Sequence, residues 1–150
     1  MYLVALLAVL AWLFLRGGGA SAAGDSGDSA DGGDMSIAVR KISEAMAHME
    51  GFFVPNSLPS RTHNPGDIGT FGGKVRGYAS DEEGFTALDS YITSHAAKHP
   101  EWDLYDFVRY YLTGDTMGKA GAGQNPDEYA DYVAGRTGLD PTQSIFSQLG

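Results

Sequence analysis

The chain contains no cysteine in its 150 residues. Disulfide frameworks, thiolate zinc sites and cysteine nucleophiles are therefore excluded, and the redox state of its compartment is left open. Positive charge is also scarce, with ten Lys and Arg against nineteen Asp and Glu, a net charge of −9 and a pI near 4.6. A phosphate-backbone partner needs a concentrated basic surface, so this balance argues against nucleic acid. The length allows one domain of modest core plus some tail, and no internal repeat is present.

What is there divides into three stretches. Residues 1–15 hold the run YLVALLAVLAWLFL, apolar all round apart from a Tyr hydroxyl and a Trp indole. As a helix of ~15 residues it would measure roughly 22 Å, short of the roughly 30 Å hydrocarbon core, so its length suits a thin membrane anchor and a signal segment alike. Ala20-Ser21-Ala22 resembles a cleavage site, but no Lys or Arg precedes the apolar run and Arg16 with three glycines separates the two. We read an anchor ahead of a signal peptide, and both ahead of a buried core helix. Residues 16–34, RGGGASAAGDSGDSADGGD, form a flexible acidic linker that as a random coil spans on the order of 25 Å. A folded domain is expected over residues 35–150.

Apolar spacing in that domain is helical. Ile42, Ala45, Met46 and Met49 mark one buried face, and Gly51 supplies a stop. Ser80-Asp81-Glu82-Glu83 reads as a capping box opening a helix to about Lys98, with Phe85, Leu88, Ile92 and Ala96 inward. Leu104, Phe107, Val108, Tyr111 and Leu112 make a further helix ended by Gly114. Asn125-Pro126 caps another through Tyr129, Tyr132 and Val133, and Asp140-Pro141 is expected to open a short last one. Between Ser60 and Ala79 the glycines and the lone apolar residues Ile68, Phe71, Val75 and Tyr78 fit a turn-rich segment or small hairpin. The expected fold class is mainly α, a helical domain with a small irregular or β-hairpin insert after its first helix.

Glu50 follows Met46 by four residues and so falls on the buried stripe, away from the face of Arg40 and Glu44. Burial beside Met46, Phe52 and Phe53 and the negative end of the helix dipole both favour its protonated form. A carboxyl kept neutral at a cleft edge is what protonating a glycosidic oxygen requires. The plain alternative, a surface glutamate at a frayed helix end, is the commoner case on pattern alone.

Taken in order, MEGFFVPNSLPSRTHNPGDI, YASDEEGFTALDSYI and PDEYADYVAGRTGLDP resemble the lysozyme-like, transglycosylase-type domains of bacteriophage virion and lysis proteins. The resemblance covers roughly residues 36–145. It implies an α+β lysozyme-like fold in which Glu50 is the catalytic acid and Arg61, Asn64, Pro65 and Gly66 belong to a segment lining the sugar cleft. Asp67 departs from the pattern, standing where such sequences commonly carry Asn. It is either a turn residue or a second carboxylate for a hydrolase, with Asp81 and Glu82 as other candidates for that partner. A lytic transglycosylase would need Glu50 alone, as acid and then as base toward the C6 hydroxyl of the muramic ring.

Phe52, Phe53 and Tyr78 are expected near the cleft, where aromatic faces stack on sugars, and Tyr132 resembles a tyrosine close to the acid in such sites. The resemblance suggests that Arg61 and Asn64 hold the insert and the substrate's amide groups. His95 and His99 sit four apart but lack an evident third ligand, so no metal or cofactor is expected. His48 and His63 lie near the site without a recognisable triad partner. Three function classes follow. One is a tethered, exported or virion-associated enzyme that cleaves the glycan strands of peptidoglycan. Another is a wall-binding or structural virion protein that keeps the fold without catalysis. The last is a small membrane protein whose acidic domain binds another protein.

Overall fold

The computed structural model describes residues 30–70, 74–118, 121 and 124–150. The apolar stretch 1–15, the linker up to residue 29 and Phe71 lie outside the described residues. The described chain is mainly helical. It runs α1 (Ala30–Met49), α2 (Leu58–Arg61), β1 (Gly69–Thr70), β2 (Lys74–Val75), α3 (Asp81–Lys98), α4 (Leu104–Thr113), α5 (Pro126–Thr137) and α6 (Ile145–Leu149).

α1 is the central element, packed against α3, α5 and α6, while α4 packs on α5. The expected stripes face the core: Ile42, Met46, Leu88, Ile92, Leu104, Phe107, Val108 and Val133 are all fully buried. Each such side chain contributes about 1.5–3 kcal/mol relative to an exposed one. α1 begins at Ala30, inside the stretch read as linker. Gly32 and Gly33 oppose a helix by propensity. Extending a helix that tertiary packing has already nucleated needs no new nucleus, however.

The helix ends follow from the capping residues. At α3 the Ser80 hydroxyl accepts from the Glu83 amide at 3.2 Å, while Glu83 Oε2 accepts from the Ala79 amide at 2.9 Å, one residue earlier than a standard box. Asn125 Oδ1 accepts from the Asp127 and Glu128 amides to cap α5, and Gly114 and Gly138 close α4 and α5 in the left-handed conformation. One expected boundary moves: Asp140-Pro141 forms a turn in which Asp140 Oδ1 accepts from the Thr142 amide, and α6 starts later, capped by Ser144.

The insert is a single turn of helix followed by a two-stranded antiparallel hairpin with Gly69 opposite Val75 and Thr70 opposite Lys74. Asn64, fully buried, holds it closed. Its Nδ2 donates to the Ile68 and Arg76 carbonyls, each at 3.0 Å, and its Oδ1 accepts from the Ile68 amide at 3.0 Å. Gly84 in the first turn of α3 lets that helix lie directly on the insert, since a Cβ there would stand 2.0 Å from the His63 carbonyl oxygen and 2.7 Å from Pro65 Cδ.

Candidate active site

Glu50 owes its position to the way α1 stops. Gly51 turns left-handed at φ +74°, its amide donates to the His48 carbonyl at 3.2 Å, and the Phe52 amide donates to the Ala47 carbonyl at 2.9 Å. This is a Schellman motif with Gly51 at C′, completed by apolar packing of Phe52 on Ala47. Glu50 is thereby the C-cap residue, fixed at the negative end of the longest described helix.

The carboxyl enters a cleft of about 360 Å³ lined by Glu50, Asp67, Ile68, Gly69, Tyr91, Tyr111, Leu112 and Gln124. A second pocket of about 220 Å³ shares Glu50, Leu112 and Gln124 and adds Met49, Asn125, Glu128 and Tyr129. Glu50 therefore stands where the two meet, with space on both sides of it. The Tyr129 hydroxyl donates to Glu50 Oε1 at 2.9 Å, and Tyr111, whose hydroxyl donates to the Gly66 carbonyl, lines the same cleft.

Burial raises the Glu50 pKa above the ordinary glutamate value. The Tyr129 hydrogen bond opposes that by stabilising the anion, and the negative charge of Asp67 adds to the upward push. Asp67 is itself shifted up by partial desolvation. A carboxyl biased toward its neutral form and open to a two-sided cleft can deliver a proton to a bound oxygen and later recover one. Among the described residues no group of three or more His, Asp or Glu is placed to hold a metal ion.

Of the three carboxylates considered as partners for Glu50, only Asp67 lines its cleft. Its φ of +42° lies in the left-handed region that Asn and Asp tolerate best, so it is a turn residue and a cleft residue together. Asp81 instead meets His63 Nδ1 at 2.6 Å, and Glu82 meets Arg40 at 2.9 Å.

Several expected neighbours lie elsewhere. Phe52 is buried with Ala47 and Phe85, its ring edge-on to Phe85 at 5.5 Å, and Phe53 is exposed with its ring 4.4 Å from His48. Neither lines the two pockets at Glu50. The tyrosine of α5 that reaches the acid is Tyr129, one turn before Tyr132, whose ring lies under Arg136 at 5.6 Å. Asn64 is fully buried and both of its amide protons go to insert carbonyls, which leaves it no donor for substrate. Arg61 is exposed at the end of α2. Tyr78 is half-buried beside Arg76, outside both pockets. His95 packs on Tyr91 at 4.1 Å and His99 stacks on Trp102 at 3.8 Å.

Sequence reasoning missed Tyr91, Tyr111, Leu112, Gln124 and Tyr129 as cleft residues. The signal was partial: Tyr111 and Tyr129 fall on apolar stripes, where a phenol must find a buried partner. Comparison of the chain with protein-family models, curated proteins and solved structures yields no match.

Proposed function

We propose that the domain cleaves the β-1,4 bond between N-acetylmuramic acid and N-acetylglucosamine in peptidoglycan, as a lytic transglycosylase or muramidase of lysozyme-like fold. Glu50 is its general acid and base. The observation that carries this reading is a half-buried C-cap glutamate, raised in pKa, at the junction of two pockets and held by a tyrosine hydroxyl. A glycan strand crossing both pockets would put a bridging oxygen beside that carboxyl. The acid protonates the leaving oxygen; the resulting carboxylate then takes a proton either from the C6 hydroxyl, closing an anhydro ring, or from water. Water attack assisted by Asp67 would give the hydrolytic product. Residues 1–15 tether or export the domain so that it reaches the wall, in the setting of phage penetration or lysis. Among the described residues no helix is long and apolar enough to cross a membrane.

The test incubates the full-length chain with purified peptidoglycan from several wall types and identifies released muropeptides by mass spectrometry, beside a Glu50→Gln control. Anhydro-muramic ends that vanish in the control make it a transglycosylase, and reducing ends that vanish make it a hydrolase. No release from any wall by a folded chain overturns the enzymatic reading in favour of a wall-binding protein.

A further inference from the structure

A row of aromatic rings leads out of the cleft along α3 and α4. Tyr91, which lines the cleft, packs on His95 with ring centroids 4.1 Å apart, and His95 lies 5.4 Å from Tyr110. Tyr110 lies 4.9 Å from Trp102, and Trp102 stacks on His99 at 3.8 Å with the planes 6° from parallel. Tyr91 and His95 belong to α3, His99 is its C-cap, Trp102 stands in the connection and Tyr110 comes from α4. Beneath the row Phe107 is fully buried, facing Tyr91 and His95 edge-on. The five rings above it are half-buried and keep part of their surface in water.

The polar edges of these rings are open. His95 Nδ1 stands 2.8 Å from the Tyr91 carbonyl, which only accepts, so Nδ1 carries the proton and Nε2 of the neutral ring is left to accept. The Trp102 indole N–H and the Tyr110 hydroxyl meet no hydrogen-bond partner among the described residues, and neither is buried away from water. The row therefore combines apolar faces with an acceptor, a donor and a hydroxyl that can act as either.

We propose that this row is a second saccharide-binding surface, on which a β-1,4-linked chain of N-acetylated sugars leaving the cleft past Tyr91 lies across His95, Tyr110, Trp102 and His99. A sugar ring presents an apolar C–H face that packs on an aromatic ring, while the hydroxyl and acetamido groups at its edge need donors and acceptors together. Rings that already hold one another are ordered before the ligand arrives, so binding costs little side-chain entropy. Single-stranded nucleic acid also stacks on aromatic rows, but it needs a positive groove along its backbone. Here Glu101 stands 3.6 Å from His99 Nδ1, Asp103 follows Trp102, and the whole chain carries a net charge of −9. An uncharged polymer suits this surface and a polyanion does not.

The inference rests on the reading that the cleft takes a glycan strand, and its test reads binding rather than turnover. Trp12 and Trp102 are the two tryptophans of the chain, so the full-length protein carrying Trp12→Phe in sugar-free detergent micelles reports emission from Trp102 alone. Glu50→Gln in the same chain keeps the ligand intact, and the amide of Gly69, on the cleft wall, reports cleft occupancy by NMR. The chain is titrated with β-1,4 oligomers of N-acetylglucosamine, from dimer to hexamer. The dimer should move Gly69 and leave Trp102 unchanged, and the hexamer should move both with one Kd. Tyr110→Ala, in the middle of the row, should raise the hexamer Kd roughly fivefold and leave that of the dimer alone. Should Tyr110→Ala fail to fold, His99→Ala at the far end of the row takes its place with the same expected result. A hexamer that moves Gly69 without Trp102, or that binds the row variant as tightly as the parent, overturns the proposal and leaves the cleft reading standing. A Trp102 response with Gly69 silent keeps the saccharide surface and sinks the cleft reading, and silence from both overturns the two together.

Discussion

The Tyr129 hydroxyl donates to Glu50 Oε1 at 2.9 Å across a sequence separation of 79 residues. The bond joins α5 to the C-cap of α1 and works against the desolvation that raises the acid's pKa. Tyr129→Phe removes the donor, leaves the anion less stabilised and moves the Glu50 pKa further up. If the proposed peptidoglycan cleavage is assayed, its alkaline limb, where Glu50 loses its proton, should shift to higher pH. A hydrogen bond to an ionised group is worth about 1.5–3 kcal/mol, so urea denaturation should show a loss on that order on the alkaline side of the Glu50 midpoint and a smaller one on the acid side, where Glu50 is neutral. An unchanged pH profile would remove Tyr129 from the machinery.

Asn64→Ala tests the clip on the insert. The substitution deletes three hydrogen bonds to backbone at a fully buried position and strands the Ile68 amide with the Ile68 and Arg76 carbonyls. Buried orphans of this kind cost about 1–3 kcal/mol each, and partial hydration of the loosened insert brings the expected total to about 3 kcal/mol. Hydrogen exchange should accelerate at the Ile68 amide well before the core of α1 and α3 responds. Exchange that stays protected at Ile68 would contradict the clip.

Gly84→Ala sets two effects against each other. Alanine is the better helix former by about 1 kcal/mol. Its methyl, though, would meet the His63 carbonyl oxygen at 2.0 Å, and this is backbone that cannot step aside as a flexible side chain would. Overpacking of this kind costs about 3 kcal/mol, so the net loss should be about 2 kcal/mol by chemical denaturation. Because the contact seats the turn that carries Asp67, the proposed cleavage should fall along with stability. A stabilised variant would mean that α3 and the insert do not touch as described.

The helices were legible because each states its own boundaries. Phe85, Leu88, Ile92 and Ala96 recur at the helical period between Ser80 and His99, and all four are buried. Glu50 was legible for the same reason, since the stripe and Gly51 together put it inward at a helix end. The surroundings of Glu50 were not, because they are assembled from α3, α4, α5 and the insert. Nothing local distinguishes Tyr129, which turns to the acid, from Tyr132, which lies under Arg136. One turn of helix separates the two, and which of them faces α1 depends on how α5 is rotated against it. Phe52 and Phe53 misled through adjacency: the reversal at Gly51 carries the chain away from the cleft directly after the acid.

Glu50→Gln gives a prediction about stability that is independent of catalysis. The folded-state pKa of Glu50 is raised above its unfolded value, mainly by burial. Folding therefore favours the protonated carboxyl. The stabilisation this gives is fully present below the unfolded value, about 4.3, and is lost as pH rises through the folded one. Above that point the wild-type chain must hold a desolvated anion next to Asp67, whereas glutamine carries no charge and its amide oxygen still accepts from Tyr129. The variant should melt at a higher temperature than wild type at pH 7, and the two should converge as pH falls toward 4. Deletion of an ordinary surface carboxylate would give no such divergence. A Glu50→Gln chain that is no more stable than wild type at pH 7 would mean that Glu50 is solvated in the folded protein, and the case for a neutral acid at the cleft would go with it.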